Sequence, residues 1–207
     1  MSRLIVTNVE TQNIKFDSDT TAFTISSTGA TSGVGAGSIV KLFEGTVGSG
    51  SSYEIDSTYI NSTYDSYEVI AYFRPNGDNR YLQMRVMVGG TVQTGNIYAY
   101  EGVYAAGGSN AFGGNTESEW GFQFAGSGDA VGEGTTLHAR FSNINKTDVP
   151  CRYTAMVSYA EQGGAHQGSY SSGSLIIANT ANVVNGFHFK FHTGNITDGH
   201  IKLYGIK

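Results

Sequence analysis

An all-β fold, an antiparallel β-sandwich of jelly-roll type behind a short N-terminal attachment arm, is the class the sequence predicts. Three observations predict it. Short runs alternate apolar and polar residues with a period of two along most of the chain. Glycine supplies 29 of 207 residues while charged residues reach only 14%, the reverse of what exposed helices need. No window carries an apolar stripe of period 3.6 built from helix formers.

The elements follow in order. Residues 1–28 hold three short β-like runs, Leu4 to Val6, Ile14 to Phe16 and Ala22 to Ile25, separated by polar residues. They bury too little apolar surface to offset their conformational entropy alone, so this arm is expected to gain order from neighbouring chains. Residues 29–38, Gly29 to Ser38, are small and glycine-rich and read as a flexible linker. The body, 39–207, begins with a strand at Ile39 to Phe43. Tyr67 to Phe73 and Tyr81 to Val88 follow, joined by Arg74 to Asn79 with its Pro, Asn-Gly and Asp, and read as a β-hairpin. In the second of these strands Leu82, Met84, Val86 and Val88 form the core face.

Later strands repeat the alternation: Trp120, Phe122 and Phe124; Leu137, Ala139 and Phe141; Tyr153, Ala155, Val157 and Tyr159; Leu175 and Ile177; Phe187, Phe189 and Phe191; Ile201 and Leu203. At least eight strands emerge. Ala105 to Gly114 and Glu161 to Ser169 read as glycine-rich loops between them. Many short strands without alternating helices indicate two antiparallel sheets facing each other.

Composition also narrows function. A net charge of −5 without a basic run argues against nucleic acid and anionic membrane surfaces as partners. Cys151 is the sole cysteine, which excludes an internal disulfide or cysteine zinc site and fits assembly in a cytoplasm. The first residues lack the apolar core of a signal peptide, and no stretch nears the ~18 apolar residues of a membrane span. The sequons at Asn61, Asn145 and Asn195 then reflect abundant Asn, Ser and Thr rather than glycosylation.

Catalytic and metal chemistry find little support. His188 and His192 are four apart, but Phe187, Phe189 and Phe191 alternate with them, so they lie on a strand with the imidazoles roughly 13 Å apart. They are expected to face solvent, with a metal conceivable only where several chains meet on a symmetry axis. Asp17-Ser18-Asp19 lacks the later ligands of a calcium loop. Glu117 and Glu119 would stand about 7 Å apart on one strand face, a spacing suited to glycosidic acid and base roles, yet such pairs arise readily among 17 acidic residues. No nucleophile elbow or phosphate-binding glycine motif precedes a helix, and Cys151 reads as a half-buried thiol. The expectation is no catalytic residue, no cofactor and no resident metal. Tyr98, Tyr100, Tyr104 and Trp120 flank the 105–114 loop and are candidate glycan contacts, since tyrosine rings make adaptable contact surfaces.

The opening from Ser2 to Glu10 through Phe23 to Ser26, the stretch from Ser51 to Tyr67 and the closing Gly199 to Ile206 are similar to segments of virion structural proteins of tailed marine bacteriophages. The likeness covers about a third of the chain and does not separate a short fibre from a capsid decoration or head fibre. It implies a homotrimer in the virion, assembled in the host cytoplasm, gripping capsid or tail proteins through its arm and exposing the body toward the host surface. Leu4, Val6, Ile14, Phe16, Phe23 and Ile25 are the candidate attachment contacts. The alternative is a glycan-binding or glycan-cleaving receptor-recognition module of a tail fibre.

Overall fold

The computed structural model describes residues 13–15, 21–25, 31–33, 39–105, 109–176 and 183–207. Contacts divide the chain into two compact units, Met1–Val40 and Lys41–Lys207. In the first, β1 (Asn13–Lys15), β2 (Thr21–Ile25) and β3 (Thr31–Gly33) form an antiparallel sheet in that order. Ile14 lies opposite Phe23 in register, and Ile25 opposite Thr31. The stretch read as a flexible linker thus contributes a strand: backbone pairing with β2 orders Thr31–Gly33 although its side chains are too small to mark it. Leu4, Val6, Phe16 and the Asp17-Ser18-Asp19 segment lie outside the described residues.

The second unit is the expected β-sandwich. One sheet runs β10 (Ser109–Glu117), β9 (Tyr98–Ala105), β14 (His166–Leu175), β13 (Arg152–Ala160), β12 (Gly134–Ser142), β6 (Ser66–Pro75), β16 (Ile196–Ile206), β4 (Ile39–Val47). The other runs β11 (Trp120–Gly121), β7 (Leu82–Val88), β15 (Val184–Phe191), β5 (Tyr53–Ile55), with β8 (Thr91–Val92) against β7. The ladders β10–β9, β9–β14, β14–β13, β13–β12, β12–β6 and β6–β16 of the first sheet, and β11–β7, β7–β15, β15–β5 and β7–β8 of the second, are antiparallel.

The predicted inward positions build the core. Leu137, Ala139 and Phe141 of β12, Tyr153, Ala155, Val157 and Tyr159 of β13, Phe187, Phe189 and Phe191 of β15, and Ile201 and Leu203 of β16 are all buried. Rings join the sheets: Phe73 stacks on Phe189 at 5.5 Å and Phe141 meets Phe187 at 4.3 Å. Such pairs add to the large apolar area that aromatic side chains remove from water. In β7, Leu82, Met84 and Val86 are buried as expected, but at its end Met87 is buried and Val88 is not fully so. The register shift between Val184 and Gly186 of the neighbouring β15 accompanies this change of face.

Three expectations are corrected. The expected hairpin from Tyr67 to Val88 is an arch: β6 pairs with β12 and β16, whereas β7 belongs to the opposite sheet. Asn76 N donates to Asn195 O at 2.9 Å, Asn195 N donates to Asn76 Oδ1 at 2.8 Å, and Arg80 and Ser127 exchange both backbone bonds. The turn chemistry therefore anchors a crossing between layers, and a connection longer than two residues leaves β6 and β7 free to face each other across the core.

Ala105 to Gly114 is largely strand, not loop, as is His166 to Ser169 at the start of β14. Glycine is required here by crowding. A Cβ on Gly102 would collide with the ring of Phe112, and one on Gly113 (φ +147°) would collide with the carbonyl oxygen of Tyr100. Finally, the Trp120 to Phe124 run is strand only at Trp120 and Gly121, and Phe124 turns outward. Ile177 lies outside the described residues.

Candidate functional site

The inner face of the eight-stranded sheet is spent on the core, so any contact made by that sheet uses its outer face, where strand alternation places every second residue. Ladder registers set these residues in rows. One row runs Ala111, Val103, Tyr170, Met156, His138, Ile70. The next runs Gly113, Glu101, Ser172, Thr154, Arg140, Glu68. All of these except Ile70 line an open depression of about 1160 Å³.

Its apolar part is contiguous. Val103, Tyr170 and Met156 are cross-strand neighbours, with 50%, 63% and 46% of their surfaces exposed. Large apolar side chains left open side by side mark contact surfaces more than scattered ones do. Beside them lie hydroxyls and charges. His138 Nε2 and Glu68 Oε1 form an ion pair when the imidazole is protonated, and Arg140 donates from Nη2 to Ser66 Oγ at 3.3 Å. Carboxylate, guanidinium and hydroxyl groups in one depression offer a ligand both hydrogen-bond acceptors and donors.

The predicted glycan contacts separate. Tyr98 and Trp120 are fully buried, which corrects their expected surface role. Tyr98 Oη donates to Gln93 O at 2.8 Å and accepts from Val86 N at 3.1 Å. Trp120 packs between Tyr98 and Tyr153, at 5.4 and 4.9 Å. Tyr98 on β9 and Trp120 on β11 both face the core, where their rings pack against each other. Tyr100 and Tyr104 are half-buried. Burial, and then the charges of Glu117 and Glu119, raise the Tyr100 hydroxyl above its ordinary pKa, while Tyr104 stacks on Phe124 at 4.2 Å and 8°.

Glu117 and Glu119 do not share a strand. Glu117 closes β10, and Glu119 sits in the bend before Trp120. Glu119 Oε2 accepts from Arg85 Nη2 at 2.6 Å and lies 3.9 Å from Lys190 Nζ, so two cations hold it as a charged structural clamp. Burial of Lys190 lowers its pKa, an effect opposed by Glu119. His188, expected to face solvent, is mostly covered and meets Glu54 Oε1 at 2.9 Å. His192 accepts from Tyr81 N at 3.1 Å through Nδ1.

Sequence reasoning missed one cluster. Asp78, Asp129 and Glu133 bring carboxylate oxygens within 4.8 Å of one another. These carboxylates fasten loops: Asp78 Oδ1 accepts from Asp129 N, and Glu133 accepts from Ala130 N and Gly163 N. It also missed Val103, Met156 and Tyr170. Met156 did leave a signal, an apolar residue on the polar alternation of Tyr153 to Tyr159. Tyr170 sits in a serine and glycine run that leaves none. Comparison of the chain with protein-family models, with curated proteins and with solved structures returns no match.

Proposed function

We propose that this chain is a virion structural protein of the short-fibre or capsid-decoration type, a homotrimer held to the particle by its N-terminal segment and exposing its β-sandwich. The reading rests on the similarity of the two ends and the early body to such proteins, and one observation carries its assembly part. Strand β10 is an edge strand nine residues long, and Glu117 is its single charged residue. Among the described residues no strand pairs with its outer side. The register of β10 with β9 is regular from Ser109 to Gly114 and shifts before Glu117; a regular edge stretch of this length without Lys, Pro or inward charges can template pairing with another chain. The proposed role is non-enzymatic: a scaffold whose partners are further copies and capsid or tail proteins.

Deletion of residues 1–28 tests the attachment role. The truncated chain is expected to fold, judged by its circular dichroism and cooperative melting, and to be lost from assembled particles. Incorporation of the truncated chain at the full-length level would overturn the assignment.

A second reading, contact with host glycans by the body, draws on the open face of the eight-stranded sheet rather than on Tyr98 or Trp120. Its polar and aromatic composition favours it.

A further inference from the structure

We infer that the outer face of the eight-stranded sheet is a binding site for a neutral linear oligosaccharide, laid across β9, β14, β13 and β12 with Tyr170 as its stacking platform. The inference deepens the glycan-contact reading and does not depend on how the chain attaches to a particle.

Shape comes first. The depression of about 1160 Å³ is open to solvent and exceeds the roughly 300–1,000 Å³ of ordinary small-molecule sites, as an extended ligand requires. Glu101, Ser172, Thr154 and Arg140 are successive partners on four adjacent strands. Three interstrand spacings separate the first from the last by roughly 14 Å, the reach of a short chain of pyranose rings.

Chemistry selects the class of ligand. A sugar ring offers an apolar C–H face and a rim of hydroxyls, and this row of groups is complementary to both. Tyr170, the most open of the apolar trio, presents a ring whose π face attracts C–H edges, with Val103 and Met156 on either side of it. In the parallel row, the carboxylate of Glu101 accepts, the guanidinium fork of Arg140 donates, and Ser172 and Thr154 between them do either. All four are exposed side chains on a rigid ladder, so little ordering is required when ligand arrives.

Charge selects a neutral ligand. Glu68 and Glu101 bring two negative charges; Arg140 brings one positive charge and His138, paired with Glu68, a second when protonated. A surface so nearly balanced gives no electrostatic gain to a polyanion such as nucleic acid, nor to an acidic peptide.

The test uses the full chain, titrated with cellotriose, maltotriose and mannotriose by calorimetry and by ligand-observed NMR. Saturable binding of at least one neutral trisaccharide is expected. Tyr170→Ala and Arg140→Ala should each weaken it tenfold or more, while Val131→Ser, on a distant exposed loop, leaves it unchanged. Both binding variants alter exposed side chains, and an unchanged melting temperature will verify that they fold. Absence of saturable binding to all three sugars overturns the inference. So does binding that survives Tyr170→Ala, or a preference for a uronic-acid trisaccharide. A fall in solution mass caused by Tyr170→Asp would identify the face as a contact between copies and would also overturn it. Failure here would leave the particle-incorporation result untouched, so the two readings are separable.

Discussion

Tyr98 and Trp120 meet edge to face, ring centres 5.4 Å apart and planes at 81°, wholly inside the sandwich. Tyr98 is a cross-layer bolt: it stands on β9 of one sheet while its hydroxyl accepts from the Val86 amide of β7 in the other. Tyr98→Phe should leave that amide and the Gln93 carbonyl without their partner and destabilise the fold by about 1–3 kcal/mol. The check is a urea titration, in which the midpoint falls and the slope stays unchanged.

Gly113 should be irreplaceable by alanine. Its φ is +147°, and an alanine Cβ at this position would run into the Tyr100 carbonyl oxygen, a backbone atom. No flexible side chain is there to yield, so the cost is about 1–3 kcal/mol. Hydrogen exchange on Gly113→Ala should accelerate for β9 and β10 amides and not for the β6–β12 ladder. Uniform protection throughout would refute it.

His192 gives the fold a pH dependence of known sign. Burial, then the nearby Arg80 and Lys190, hold its imidazole below the ordinary 6.5, while Glu119 acts the other way. Below pH ~6.5 the unfolded chain takes up a proton that the folded chain refuses. Stability from this site is therefore complete above pH ~6.5 and is lost as pH falls through the folded value. His192→Asn, which keeps an acceptor for Tyr81 N, should flatten the difference in melting temperature between about pH 7.5 and about pH 5.5 relative to the parent chain.

Cys151 is buried in the core, deeper than its place after Pro150 indicates. Burial pushes its thiol far above the ordinary range, so the nucleophilic thiolate is scarce and shielded. Ellman's reagent should label it at the rate of unfolding, with one thiol per chain appearing only in denaturant. Rapid labelling of native protein would contradict the burial.

The sandwich is legible in the sequence because its inward residues are large and regularly spaced: Phe187, Phe189 and Phe191 announce a strand and its face at once. Strands β10 and β14 are hidden by the opposite composition. Their order comes from ladder bonds to neighbours and from the close approach of Phe112 over Gly102, which are facts of tertiary contact, not local propensity. The arch at Asn76 to Tyr81 escapes a sequence reading for a related reason, since turn residues report that the chain reverses and not which sheet receives the next strand. Tyr98 and Trp120 are recognisable as a functional-looking aromatic group, but an aromatic strand residue carries the same sequence signal whether it faces solvent or core. The open face combines a visible clue, Met156, with partners such as Tyr170 that only strand pairing brings beside it.

The most direct test of assembly through the exposed edge and the N-terminal unit is the solution mass of the full chain by light scattering. A trimer is expected, three times the 22.0 kDa chain and thus about 66 kDa. A mass of 22.0 kDa at all concentrations would contradict it.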